Sequence, residues 1–240
     1  MTNTDNKVDY DWTYVSVLID TSGSMQELNP ANTSKQLTGL IREQTGGKVT
    51  VTAARFSEKY EVFIQNKLAS EVNIAEEDIK PMGSTALYES FCKIIDDTSD
   101  CLNNFTDVKP GKIVVIVLTD GEENASKGEY SGKTGLSILT KKITEKQEQN
   151  WLFYFLGTNI DAIKMGSKFG ITPQTCINYG NNQAGCTNVI RSTSHALSRM
   201  REQKTPMTRE QLINTSAYTN NERVSSIMGK AVQENIHPDI

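Results

Sequence analysis

Oxygen-bearing residues concentrate in three short clusters of this 240-residue chain: Asp20-Thr21-Ser22-Gly23-Ser24, Gly83-Ser84-Thr85 and Thr119-Asp120-Gly121. Each offers carboxylate or hydroxyl oxygen, and none offers sulfur or imidazole. Such a donor set suits a hard cation such as Mg2+, which prefers octahedral oxygen ligation at about 2.0–2.1 Å. The D-x-S-x-S spacing lets one tight loop, eased by Gly23, aim Asp20, Ser22 and Ser24 at a common point. Thr85 would approach from a second loop, and Asp120 from a third, through water or through the serines. Two carboxylates and three hydroxyls cannot saturate the ion, so one vertex is left to water or to a ligand's own carboxylate. Taken alone, the first cluster is equally a loop and helix start, because Asp, Ser and Gly favour caps and turns. Thr85, with Glu89 close behind it, equally reads as a helix N-cap. The recurrence of three such clusters in matching contexts favours the metal site.

Those contexts follow from the apolar pattern. Residues 13–19 form a β-branched run that stops at Asp20, and 112–118 are nearly all apolar up to the Thr119-Asp120 step, as in a parallel strand covered on both faces. Residues 151–156 read as a second buried strand, and 175–179 as a short edge strand. Residues 48–56 and 60–68 read as two strands joined in a hairpin by Ser57-Glu58-Lys59. Helices are expected over 30–44, 133–149, 161–169 and 184–203, and most clearly over 85–105, where Leu87, Phe91, Ile94, Ile95, Leu102 and Phe105 make one stripe. Strands alternating with helices imply a mostly parallel sheet covered on both faces, with the hairpin supplying one antiparallel edge strand. Ligands of such sheets bind at the carboxyl ends of the strands, where the clusters stand. Residues 1–7 are expected to be flexible and 8–205 to form the domain. The polar stretch 206–240 is expected to be a peripheral or partly disordered tail.

The five positions, in this order and on these elements, resemble the metal-ion-dependent adhesion site (MIDAS) of von Willebrand factor A domains, a likeness spanning residues 8–201. The resemblance implies a Rossmann-like three-layer α/β/α sandwich with strand order 3-2-1-4-5-6. It implies Mg2+ or Mn2+ held by Asp20, Ser22, Ser24, Thr85 and Asp120, and a partner protein whose Asp or Glu carboxylate completes the ion's sphere. Residues 121–124 are similar to the family's continuation after the third motif, which would bring Glu122 and Glu123 near the site. As residues of a polar loop, the same pair reads as solvated charge. Residues 151–171 are similar to small stand-alone members from bacteria and phages. Some such members work beside a separate ring-forming ATPase, which makes an accessory-subunit role an analogy here.

Composition narrows the remaining classes. A net charge of −4 without a basic run argues against a nucleic-acid binder. No apolar run reaches the roughly 18 residues of a membrane span, and the polar start, with Asp5, Asp9 and Asp11, lacks the form of a signal peptide. Four cysteines without a C-x-x-C pair, and only His195 and His237, argue against a zinc site and fit a reduced, cytoplasmic protein; a lone module of the kind it resembles is expected to be monomeric. Gly132-Lys133-Thr134 imitates the end of a phosphate-binding loop, but the spacing to Gly128 is one residue short and no strand directly precedes it. An aspartyl-phosphate enzyme would want a second Asp two residues after Asp20, where Ser22 stands. A Mg2+-dependent phosphoryl-transfer or hydrolytic site would need a base, and only Glu122 and Glu123 offer themselves. The sequence therefore favours a binding module over an enzyme.

Overall fold

Two strands of nearly unbroken apolar sequence set the architecture. A computed structural model describes residues 7–228. Its elements run β1 (Lys7–Asp20), α1 (Pro30–Arg42), β2 (Lys48–Phe56), β3 (Tyr60–Leu68), α2 (Leu87–Asn103), β4 (Val108–Thr119), α3 (Gly132–Glu148), β5 (Leu152–Gly157), α4 (Ala162–Lys168), β6 (Cys176–Asn178), α5 (Gln183–Arg201), α6 (Arg209–Ser216) and α7 (Asn220–Met228). The strands make one sheet in the order β3-β2-β1-β4-β5-β6. Every neighbouring pair is parallel except β2 with β3, which closes the expected hairpin with Phe56 opposite Tyr60. The fold is therefore the mixed, mostly parallel sheet with one antiparallel edge that the sequence leads one to expect.

Side-chain alternation divides the apolar strands between two cores. Val15, Val17 and Ile19 of β1, Val114, Ile116 and Leu118 of β4, and Leu152, Tyr154 and Leu156 of β5 face one way, onto Leu37, Leu40 and Ile41 of α1 and Val189, Leu197 and Met200 of α5. Tyr14 and Leu18, Val115 and Val117, and Phe153 and Phe155 face the other way, onto Phe91, Ile94 and Ile95 of α2 and Leu139 and Ile143 of α3. Because both faces are covered, β1 and β4 end in buried surroundings, and whatever polar group follows them starts its loop at the sheet edge. The sheet also buries hydroxyls in pairs: Ser16 Oγ meets Thr98 Oγ1 at 2.6 Å, and the Tyr14 hydroxyl meets Thr52 Oγ1 at 2.5 Å.

The ends of several elements differ from the sequence expectation. Strand β1 begins at Lys7, because Lys7–Asp9 pair with Val108–Pro110 below a register shift, so Lys7 belongs to the sheet rather than to a flexible N-terminus. Beyond residue 205 the chain folds into α6 and α7, where a peripheral or partly disordered tail was expected. The reason is tertiary. Leu212 and Tyr218 insert into the core beside α5, the Tyr218 hydroxyl meets Thr193 Oγ1 at 2.8 Å, and a Thr208–Gln211 capping box starts α6. Arg199 of α5 holds the buried carboxylate of Glu222 at 2.8 Å and donates to the Ala217 carbonyl at 2.9 Å. The expectations for residues 1–6 and 229–240, His237 included, lie outside the described residues. Among the described residues no helix is long and apolar enough to cross a membrane.

The Arg199–Glu222 pair makes the C-terminal clasp testable. Removing the buried carboxylate leaves Arg199 half-exposed without its partner, so Glu222→Ala is expected to cost about 2 kcal/mol in urea melts. It should also open a proteolytic site between residues 202 and 219 while leaving the sheet intact.

Candidate functional site

All five sequence-predicted residues come together at the carboxyl edge of β1 and β4, and backbone hydrogen bonds tie their three loops into one unit. Thr21 N donates to the Phe56 carbonyl at 2.7 Å and Met82 N to the Thr21 carbonyl at 2.7 Å. Gly23 N reaches the Gly83 carbonyl at 2.9 Å, and Asn124 N reaches the Thr85 carbonyl at 3.0 Å. Gly23, expected to ease the turn between the serines, does so without a positive φ, and its N–H carries the link to the second loop. Gly83 does adopt positive φ, at 73°, where the chain turns toward Thr85.

Asp20 closes β1 with both oxygens engaged. Oδ1 accepts from Ser22 N at 2.7 Å and Oδ2 from Thr119 Oγ1 at 2.6 Å. The Ser22 and Ser24 hydroxyls lie 3.1 Å apart, and Ser24 donates to Asp120 Oδ1 at 2.7 Å. Asp120 Oδ2 is buried and accepts from no protein group. The Thr85 hydroxyl lies against Gly121: a Cβ built there would sit 3.1 Å from Thr85 Oγ1 and 3.8 Å from Ser24 Oγ, so any side chain at 121 would crowd both donors. Asp20, Ser22, Thr85 and Asp120 are each at most 3% exposed, whereas Ser24 is open to solvent. The cluster is thus an oxygen-lined site that is buried except at Ser24.

Burial pushes the Asp20 carboxyl up to about 6 against the pull of the Thr119 and Ser22 hydrogen bonds, and Asp120 adds like-charge repulsion. Burial likewise raises Asp120, opposed by the Ser24 hydrogen bond. Two buried acids facing three hydroxyls, with one carboxylate oxygen unmatched, form an environment that a hard cation would neutralise. The donor set fits such an ion. Among the described residues there is no cluster of three or more His, Cys, Asp and Glu, so hydroxyls must supply the rest of any ligation here.

The sequence did not reveal how Thr85 is held. Ala86, not Thr85, occupies the cap position of α2, and it has no side-chain cap bond. The orphan amides are served instead by the loop after Asp120. Asn124 Oδ1 accepts from Thr85 N at 2.8 Å, Glu123 Oε2 from Tyr88 N at 2.8 Å, and Ser126 Oγ from Glu89 N at 3.1 Å. Glu123 also accepts from the amides of Ala125 and Ser126 and from the Ser126 hydroxyl, so it is neither a solvated charge nor a free base. Glu122 is exposed. The signal available was an acidic residue followed by Asn and Ser, each a helix-capping type, but nothing local says which helix they cap. His195 is exposed on α5, and Gly132-Lys133-Thr134 lies exposed at the start of α3, away from any strand end.

Glu123→Ala removes four hydrogen bonds to one carboxylate. It is expected to cost about 2–3 kcal/mol and to speed amide exchange at Tyr88 and Ser126, measured by hydrogen–deuterium exchange. Glu123→Gln, which keeps the acceptor oxygen, should lose less.

No protein-family model and no curated protein matches the sequence. Solved structures match it in shape. A von Willebrand factor type A structure from Catenulispora acidiphila superposes with a TM-score of 0.53 at 15% identity, covering 78% of this chain and 43% of that one. Proximal thread matrix protein 1 from the mussel byssus, solved with a zinc-occupied MIDAS motif, gives 0.54 at 13% identity, covering 78% and 46%. A variant of the PilB minor pilin from Streptococcus sanguinis gives 0.52 at 12% identity, covering 82% and 62%. The chain spans less than two thirds of each of these proteins. At such identities the likeness speaks for the backbone alone, and with the sheet order and the two helical layers it shows that this chain has the von Willebrand factor type A fold.

Proposed function

We propose that the chain is a metal-dependent protein-interaction module. In this reading Asp20, Ser22, Ser24, Thr85 and Asp120 hold Mg2+ or Mn2+, and a partner protein presents an Asp or Glu carboxylate to the site. The observation that carries it is the convergence of five oxygen-bearing side chains from three loops at one sheet edge, chained through Ser22, Ser24 and Asp120. A bound cation supplies a positive vertex for an incoming carboxylate, which two buried acids would otherwise repel. Exposed Ser24 sets the side of approach, and the fixed loops hold the donors without reorganisation. The zinc-occupied motif of the mussel protein supports the reading, since that protein shares the fold.

The rival reading, a metal-dependent hydrolase or phosphoryl-transfer enzyme, needs a base beside the metal. Glu123, one of its two candidates, is committed to the amides of its own loop and of α2. The other, Glu122, is exposed and has no hydrogen-bonded orienting group among the described residues. The free cysteines Cys92, Cys101, Cys176 and Cys186 suit the reduced, cytoplasmic setting proposed for the module.

Metal binding is tested by thermal melting in EDTA, Mg2+ and Mn2+. At a cation concentration about 100-fold above the dissociation constant, linkage adds about 2.7 kcal/mol, a rise of roughly 5–10 °C for a chain of this size. Asp20→Asn keeps the acceptor for Ser22 N but removes a buried charge. It is expected to melt at or above the wild type in EDTA and to gain nothing from either metal. Equal melting of wild type in all three conditions would end the metal reading. Partner capture from a lysate, comparing wild type with Asp20→Ala in Mg2+ and in EDTA, then tests the interaction. Retention in wild type with metal alone is the expected result, and equal retention in all four conditions would assign binding to another surface.

A further inference from the structure

Buried polar atoms without partners are scarce in this molecule, and they are not scattered. Among the described residues eight buried side-chain nitrogen or oxygen atoms lack a hydrogen bond, and six belong to Asp120, Thr158, Tyr179, Asn181 and Gln183. The sheet explains why the first three share a place. Thr119, Gly157 and Asn178 are partners across β4, β5 and β6, so Asp120, Thr158 and Tyr179 stand one step beyond them in a row. Thr158 N donates to the Thr119 carbonyl at 3.2 Å and Tyr179 N to the Gly157 carbonyl at 3.0 Å, which carries the register through that step. Alternation places the row on the same sheet face as Leu118, Leu156 and Ile177, and Tyr179 packs in the core of that face. Asp120, Thr158 and Tyr179 are all at most 4% exposed. From Tyr179 the chain runs through Asn181 to Gln183 at the start of α5, and Asn181 Nδ2 donates to Glu27, in the turn that carries Ser24.

Six bare polar atoms, three in this row and three just beyond it along the chain, would offset much of a domain's net stability, so they are matched in the folded molecule. No protein group matches them, and a polar pocket with several convergent partners is where buried water is retained. A carboxylate oxygen has two lone pairs, so Asp120 Oδ2 can face such a water and the open site at once. We propose that Thr158 and Tyr179 are positioning residues that orient Asp120 through buried water and so raise the affinity of the site for its cation. This inference rests on the metal-binding reading above. Groups placed behind metal ligands act in this way, and their loss weakens metal binding while the ligands themselves remain.

The test is calorimetric titration of the full chain with Mn2+, together with melting in EDTA. Tyr179→Phe and Thr158→Val each remove one hydroxyl with little change of shape, and Thr158→Ser restores it. Both hydroxyl-less variants are expected to bind Mn2+ about tenfold more weakly, and Thr158→Ser to bind within about twofold of wild type. Both should melt in EDTA no lower than wild type, a combination that a merely structural role would not produce. Wild-type affinity in both Tyr179→Phe and Thr158→Val overturns the inference and leaves the metal site standing. A wild type that takes up no Mn2+ removes both. Should Tyr179→Phe fail to fold, the Thr158 pair decides the matter alone.

Discussion

Two carboxylates end adjacent strands of a sheet that is buried on both faces, and the rest of the site is arranged around that electrostatic problem. Asp20 and Asp120 cannot withdraw into water, because the strands that carry them are flanked by helices on each side. Burial favours their protonated forms, with like-charge repulsion added at Asp20 by Asp120 and at Asp120 by Glu27. The chain answers with donors: Thr119 and the Ser22 amide on Asp20, Ser24 on Asp120. These hydrogen bonds fix the carboxylates without neutralising them, which leaves a preorganised acidic site.

Rigidity at the site comes from loops rather than from the strands alone. The backbone links between Gly23 and Gly83, and between Asn124 and Thr85, join the first loop to the second and the second to the third. The segment after Asp120 then caps α2 from outside, with a carboxylate, an amide and a hydroxyl that accept from three amides at the helix start. A negative side chain at a helix N-terminus is favourable on electrostatic grounds as well as by hydrogen bonding. Thr85 is thereby held at both its backbone amide and its carbonyl, so its hydroxyl has little freedom to leave the cluster.

The far side of the sheet shows a comparable economy. Helices α6 and α7 are short and weakly apolar, and neither would persist alone. They are ordered because α5 presents both a core surface and Arg199, which binds the carboxylate of Glu222 and the carbonyl of Ala217 together. Tyr154 extends the same support from the sheet, its hydroxyl reaching the Ser216 carbonyl at 2.9 Å.

By itself, the sequence determined the layers, the hairpin and the five oxygen-bearing residues. Apolar runs such as 112–118 admit no half-exposed strand, and the clusters after them lie within a few residues of the strand ends, so local pattern and loop chemistry sufficed. Tertiary structure decided what depends on partners distant in the chain. Polar helices 209–216 and 220–228 were illegible because their order comes from α5, and Glu123 read as a surface charge because its acceptor role is filled by an amide 35 residues earlier. The row Asp120, Thr158 and Tyr179 exists only through strand register, which sets three unrelated positions side by side, and no spacing in the sequence announces it.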